Sequence, residues 1–468
     1  MLQSLIIAGI FYVAALALFT IRTRTKEKSS KSFLMAGANV GALLGFFTFA
    51  ATLFSTFTLQ GMPDFFRVNG IGAWIFLAIS DAVMVFGIIS VGYAFRKKAS
   101  QHEYYGMAGF MSFCYKSKWA GLVTFFGAFI FLVPYVAIQI RGVAIFLSAA
   151  FPESIPLWLG ATAMVTIMLI YSEIGGLKAI MYSDVLQGIL LLIVIWIIGF
   201  NCLNHFGGLG EMFDEIEQKN VALLSVPGPK GLLDFQFLFG SMIAIVLLPF
   251  TQPQVSTRLI IMKDTKSLYK LAVGLGFFAI LIILPTVFIG MYGAAMYPED
   301  SMAAFLSKTF LTDQSNLIGA FVMIGLVAAA ISTSDSQLFA LGGEMRSLLS
   351  GEDKKMVLIA RISIFVFALI TLAFALMSSD ELVLLTRMSF AGTALMAPMI
   401  FTGIFYDNSS QLKVIPFATL AALITLLASL FGLVPNMVMG IRMDLILLGA
   451  LAIIALVTVG INKANKTA

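Results

Sequence analysis

Charge is scarce in this sequence. Asp, Glu, Lys and Arg make up 11% of 468 residues and hydrophobic residues 60%, which excludes an ordinary soluble domain and points to a polytopic membrane protein. Cysteine and histidine are scarcer still, with two of each. Cys114 and Cys202 fall on opposite predicted sides of the membrane, which argues against a disulfide between them. His102 and His205 lie in loops, so neither a bis-histidine haem nor a histidine metal centre within the membrane is expected. The phosphate-cradling pattern GxxxxGK[ST] is missing, so any transport must draw on a gradient and not on nucleotide hydrolysis by this chain. No nucleophile–base pair or cofactor loop stands out either, and an enzyme is not expected.

Long apolar runs are what the chain does have. A spanning helix needs roughly 20 apolar residues, and about thirteen such runs can be drawn, from Leu2–Thr20 to 440–461. The first run has no basic segment before it, and Arg22, Arg24, Lys26, Lys28 and Lys31 follow it, so it reads as a spanning helix with its N-terminus outside and not as a signal peptide. Alternation from that start puts the C-terminus in the cytoplasm. Charge supports this topology. Arg96, Lys97, Lys98, Lys116, Lys118, Arg258, Lys263, Lys266, Arg346 and Lys413 then fall inside, while Glu211, Asp214, Glu217, Glu299, Asp313 and Asp380 fall outside. The formal charge of +5 therefore reflects orientation in a plasma (inner) membrane, with no sign of nucleic-acid binding. The segment from His102 to Trp119 is expected to lie along the membrane interface.

Ionisable residues at bilayer depth are costly, about 2.5–3.5 kcal/mol each on insertion scales, and those that persist mark pathways or sites. Here they are Asp81, Arg141, Asp184, Asp335 and Arg387. Helix breakers give a second signal. AATLFSTFTLQGMPDFF carries Ser55, Thr56 and Thr58 before Gly61 and Pro63, and VLLPFTQPQVSTRL has Pro249 and Pro253 around Thr251 and Gln252. These interruptions open the second and seventh runs. Five spans separate them, and because five is odd, two five-helix repeats would enter the membrane from opposite sides, as in many secondary transporters. The expected divisions are 1–35 (N-terminal helix and basic loop), 36–202 (first repeat), 203–234 (extracellular loop), 235–406 (second repeat) and 407–468 (two C-terminal helices).

YSEIGGLKAIMYSDVLQG, Tyr171 to Gly188, and AAAISTSDSQ, Ala328 to Gln337, resemble signature segments of the sodium:solute symporter family, and the likeness in helix number and order covers nearly the whole chain. The resemblance implies the all-α, inverted-repeat LeuT-type fold, with Na+ as the coupling ion. In AAAISTSDSQ, Ala329, Ser332, Thr333 and Ser336 share a helix face, so two hydroxyls and a carbonyl would offer a hard cation three oxygens. By resemblance, the carbonyls of Ala51 and Phe54 on the first broken helix complete that sodium site. Small and hydroxylated residues also line ordinary membrane helix contacts, but an acid on such a face needs its own partner.

A second cation site is expected at Asp184, Ser332, Asp335 and Ser336, the two acids being positions where a shared proton is the alternative. Another alternative for Asp184 is anchoring of backbone amides near Gly175 and Gly176. The solute is expected beside the unwound segments, contacted by Ser55, Thr56, Thr58, Gln139, Arg141, Thr251 and Gln252. Arg141 suggests a carboxylate-bearing solute, because its fork binds carboxylates bidentately; pairing with Asp81 and outward snorkelling are the rival roles. The combined expectation is a symporter importing a small organic solute with sodium by alternating access. A proton-coupled transporter using Asp184 and Asp335, or a solute-sensing receptor module, would explain the same residues differently. Neither oligomeric state nor solute identity is legible.

Overall fold

The computed structural model describes residues 2–23, 29–151, 154–378 and 381–467. Arg24, Lys26, Lys28 and Asp380 lie outside these, as do the side chains of 171–175 in the first signature segment. The described chain is almost wholly helical, because backbone polar groups in a bilayer must be satisfied within their own segment.

Helix α1 spans Leu2–Thr23 and the short α2 Ser30–Met35. The first broken helix follows. Its first half, α3 (Ala42–Leu53), ends at Phe54 in extended conformation (φ −93°, ψ 120°). The chain resumes through a wide π-helical turn, Phe57–Gly61, and α4 (Met62–Asn69), bent 54° from α3. Of the interrupting residues in this stretch, the break falls at the hydroxyls, ahead of Gly61 and Pro63. Hydroxyls make it: Ser55 Oγ accepts from the Phe57 amide while Thr58 Oγ1 accepts from the Ser55 amide, each at 3.2 Å. This reciprocal exchange resembles a capping box, which starts a new helix at Ser55.

Next come α5 (Ser80–Ala99), α6 (Met107–Tyr115), α7 (Lys118–Ala150) and α8 (Leu157–Phe206). Helix α8 is interrupted at Gly176, which has φ +63° and sits against Phe33, so a side chain there would meet both strain and contact. After α9 (Leu209–Asn220) the second broken helix comprises α10 (Phe235–Thr251) and α11 (Pro253–Ile260), bent by 53°. Here proline does set the break. Pro253 starts α11 without an amide hydrogen and holds Gln252 extended (φ −105°, ψ 122°).

The rest comprises α12 (Thr265–Met296), α13 (Met302–Ser307), α14 (Asn316–Ser347), α15 (Asp353–Met377), α16 (Leu382–Ala394), α17 (Ala397–Phe405), α18 (Val414–Leu430), a small hairpin β1 (Met437–Val438) and β2 (Ile441–Arg442), and α19 (Met443–Thr467). Among the described residues eight helices are long and apolar enough to cross a membrane. The two bent pairs pass the same test as single spans, and three shorter apolar helices remain, Leu5–Phe19, Leu157–Ile170 and Val414–Leu430. The expected count of about thirteen needs every one of these to cross. The protein is a multi-pass membrane protein.

Helices α3, α7, α8, α12 and α14 pack together around the break in α3, and α11 reaches the same place from the other broken helix. The apolar faces turned away from this core stay exposed, as Phe86, Phe277 and Leu456 do, because lipid is their solvent. The segment expected to lie along the membrane interface is instead built into the protein. In α6, Phe110 and Tyr115 are buried, and the Glu344 carboxylate at the end of α14 accepts from the Met107 and Ala108 amides at 2.7 and 2.6 Å. Those amides are the unpaired donors of a helix N-terminus, where a carboxylate is favoured.

Candidate ion and solute site

Ending α3 at Leu53 leaves the carbonyls of its last turn without helical partners. Two of them are taken up by side chains from other helices. Tyr135 Oη on α7 donates to the Leu53 carbonyl at 3.3 Å. The Ala51 carbonyl accepts from Thr333 Oγ1 on α14 at 3.2 Å and lies at the same distance from Ser332 Oγ, whose single proton is shared with the shorter bond to Asp184. Ala51, Phe54, Ala329, Ser332 and Thr333 are all buried, and Phe54 follows the last helical residue, so its carbonyl points out of the ladder. The arrangement places two hydroxyls and at least one unladdered carbonyl at one buried point.

The acid cluster lies next to it and contains more than the sequence suggested. Asp184 is fully buried; its two oxygens accept from Thr48 Oγ1 at 2.5 Å and Ser332 Oγ at 2.6 Å. The amides near Gly175 and Gly176 are not its partners. Arg258, assigned from sequence to a cytoplasmic loop, is instead 1% exposed inside the protein. Its Nη2 donates to Ser336 Oγ at 2.7 Å and stands 4.0 Å from Asp184 Oδ2. The physical reason is the break at Gln252: α11 turns inward there, so a residue counted beyond the span is drawn back into the core. Thr52 Oγ1 also reaches Ser336 at 3.1 Å. Asp335, by contrast, is buried with neither carboxylate oxygen hydrogen-bonded, although it is near enough to Asp184 for their charges to interact. Gln187, from the first signature segment, donates to Tyr12 Oη on α1 at 2.9 Å, tying the outlying first helix to this region.

Of the residues expected to hold solute all but Arg141 are buried, and most of their polar groups are turned towards protein partners. Gln139 Oε1 accepts from the Thr56 amide at 3.2 Å, and Gln139 Nε2 donates to the Tyr135 carbonyl at 3.3 Å. Thr251 Oγ1 donates to the Leu247 carbonyl at 3.1 Å, and Gln252 Oε1 accepts from Gln254 at 2.6 Å. Thr56 Oγ1 and Gln252 Nε2 are left with no partner. Arg141 is half-buried and donates to the Ala375 carbonyl on α15 at 2.7 Å; it has no bond to Asp81. Arg387 is ion-paired with Asp444 on α19 at 2.8 Å and donates to Ser241 on α10 at the same distance.

Two small adjoining cavities lie between the broken helices, sharing Phe57, Ile245 and Phe390. One is lined by Asp81, Phe54 and Tyr135, the other by Arg387, Thr386 and Ser241. None of Ser55, Thr56, Thr58, Gln139, Arg141, Thr251 or Gln252 lines either of them. Sequence reasoning missed Thr48, Arg258 and Gln60, and singled out Asp81 as a membrane-depth acid without placing it beside the solute. Gln60 had a signal, since an amide in an apolar run is costly to bury, and both its polar atoms remain unpartnered here.

A helical membrane protein with two helices broken inside the bundle, and buried polar groups collected at the breaks, has the architecture of a gradient-driven transporter. The comparisons agree. The chain belongs to the sodium:solute symporter family, whose pattern it matches over residues 33–412. It is therefore a sodium-coupled transporter and not an enzyme. It is similar to an uncharacterised symporter, YodF, of Bacillus subtilis (strain 168), with 24% identity over 88% of this chain and 84% of that one. It is also similar to the sodium/pantothenate symporter of Haemophilus influenzae (strain ATCC 51907 / DSM 11121 / KW20 / Rd), at 22% identity over 85% of this chain and 84% of the other. Among solved structures, a Na+-coupled sialic acid symporter in a substrate-bound outward-open state has the same fold, with a TM-score of 0.80 at 16% identity over 98% of each chain.

Proposed function

We propose that this protein imports a small organic solute together with sodium by alternating access, the ion being held by Ala51, Phe54, Ala329, Ser332 and Thr333. One observation carries the ion site: Ser332 and Thr333 meet the Ala51 carbonyl that the break in α3 sets free. Sodium there would join α14 to the broken helix and favour the state that accepts solute. Its release on the far side would free the two to move apart. Both ligands must prefer the same state, or no coupling follows. The two repeats, 36–202 and 235–406, each open on a broken helix, at 54° and 53°, which supports rocking of one bundle against the other. We orient the chain with its N-terminus outside and its C-terminus in the cytoplasm, on the charge asymmetry of its loops.

A second cation site at Asp184, Ser332, Asp335 and Ser336 draws support from the two unpartnered oxygens of Asp335. Arg258 already brings one positive charge into that cluster, so two acids face one resident cation and a single further charge is left to balance. The carboxylate-bearing solute suggested by Arg141 loses its footing, because that guanidinium is engaged by α15 and lines neither cavity.

The test needs no knowledge of the solute. The thermal unfolding midpoint of the purified protein is titrated with sodium against potassium at fixed ionic strength and pH. A saturable, sodium-selective rise that disappears in Ser332→Ala is expected, since a ligand that prefers the native state stabilises it. Equal responses to the two ions would overturn the site.

A further inference from the structure

Asp81 sits in the span formed by 71–99, at about its middle third, and is 5% exposed. No described residue hydrogen-bonds its carboxylate, and the Arg141 partnership open to it from sequence is not made. It lines the small cavity beside the break in α3, within electrostatic range of the Tyr135 hydroxyl, which is committed to the Leu53 carbonyl. Every other side chain lining that cavity is apolar or aromatic, with Phe54, Phe57, Tyr135 and Phe390 supplying ring faces.

A buried acid without a partner calls for a cation or a proton, and the walls tell which cation fits. Sodium needs a shell of oxygens, and this cavity offers a single carboxylate among hydrocarbon. An organic ammonium needs much less. One carboxylate meets its charge, ring faces attract what remains of the charge, and apolar walls take its carbon body. Arg387 in the adjoining cavity shares Asp444 with Arg442 and spends donors on Asp444 and Ser241, so its guanidinium is already engaged by the protein.

We propose that the solute carried by this protein bears a positive charge, a primary or quaternary ammonium on a small apolar body, and that Asp81 is the residue that selects it. This rests on the symport reading above and names its solute class. The cavity has a volume of about 20 Å³, the scale of one water molecule, so admission of the solute requires the walls formed by the broken helices to part.

The test uses purified full-length protein in saturating sodium and three matched sets of compounds. These are 2-phenylethylammonium with 2-phenylethanol and phenylacetate, isobutylammonium with isobutanol and isobutyrate, and choline with its neutral isostere 3,3-dimethylbutan-1-ol. Expected is a saturable rise in unfolding midpoint with at least one ammonium compound, at a concentration roughly ten- to hundredfold below its neutral counterpart. That is the scale of one charge-assisted hydrogen bond for the primary ammoniums, and of ion pairing with cation–π contact for choline, which has no N–H. In Asp81→Asn that preference should collapse while the sodium-over-potassium shift persists. If no ammonium compound outperforms its neutral and anionic counterparts in the unmutated protein, the proposal fails, whatever the variant does. If neutral compounds bind as well as cations, a proton on Asp81 is the better account and the proposal is again overturned. Loss of the sodium shift in Asp81→Asn would place the acid in the ion site and remove it from the solute. Loss of that shift in Ser332→Ala, with ammonium preference absent throughout, would leave sodium coupling intact and reject only the solute class.

Discussion

Asp184 and Asp81 are both buried acids beside the same broken helix, and their surroundings are opposites. Asp184 is met by Thr48, Ser332 and Arg258, a set drawn from three other helices. Asp81 is met by aromatic rings and a cavity. A carboxylate whose charge is answered from within is part of the structure at all times. One that is not answered is poised for something that comes and goes.

The contrast can be broken most sharply at Arg258. Arg258→Met keeps the bulk and removes the charge, leaving two acids in one buried cluster. The expected loss is about 3–5 kcal/mol, the penalty of removing one partner from a buried pair, read from chemical denaturation in detergent. A variant as stable as the parent would mean that Asp184 is not held by this guanidinium. Next in size is sodium itself. Exchange of sodium for potassium, starting near a hundredfold excess over the dissociation constant, should lower stability by about 2.7 kcal/mol, and by much less in Ser332→Ala. Thr48→Val comes third. It deletes the 2.5 Å hydrogen bond to Asp184 in a nearly equal volume and should cost about 1.5–3 kcal/mol by the same measurement. Smallest is Asp81→Leu, expected to leave stability within about 0.5 kcal/mol of the parent or to raise it, because no protein partner is lost and an unanswered charge is removed. A large loss there would erase the distinction between the two acids.

How far the sequence foretold this depends on whether the information is local. Breaks in the second and seventh runs were visible because prolines, glycines and hydroxyls in apolar stretches conflict with helix continuity. Within the first of them, the bonds that Ser55 makes with Phe57 and Thr58 set the position, and Pro63 lies comfortably in the opening turn of α4. Ser332, Thr333 and Asp184 were legible as polar residues at membrane depth, and they do come together. Arg258 was not, because counting outwards along a straight span puts it in water, while a bent one returns it to the core. Arg387 was seen as a membrane-depth charge, but its partner Asp444 lies 57 positions along the chain, in a helix outside the expected repeats. The side chains expected to contact solute were chosen for polarity near the breaks. Most of them bond to the protein instead, as Gln139 does to the Thr56 amide and the Tyr135 carbonyl. Which polar groups face a cavity and which close on their neighbours is set by rotation of whole helices, and spacing along one helix does not report it.

Helix α14 has its middle at the ion ligands and its end clasped to α6 through Glu344. Because a carboxylate grips two amides at once, α6 is bound to follow any tilt of α14 or to let go. A chemical event deep in the bilayer is thereby passed along to the far end of α14: deuterium uptake at the buried Met107 and Ala108 amides would register whether the ion is aboard.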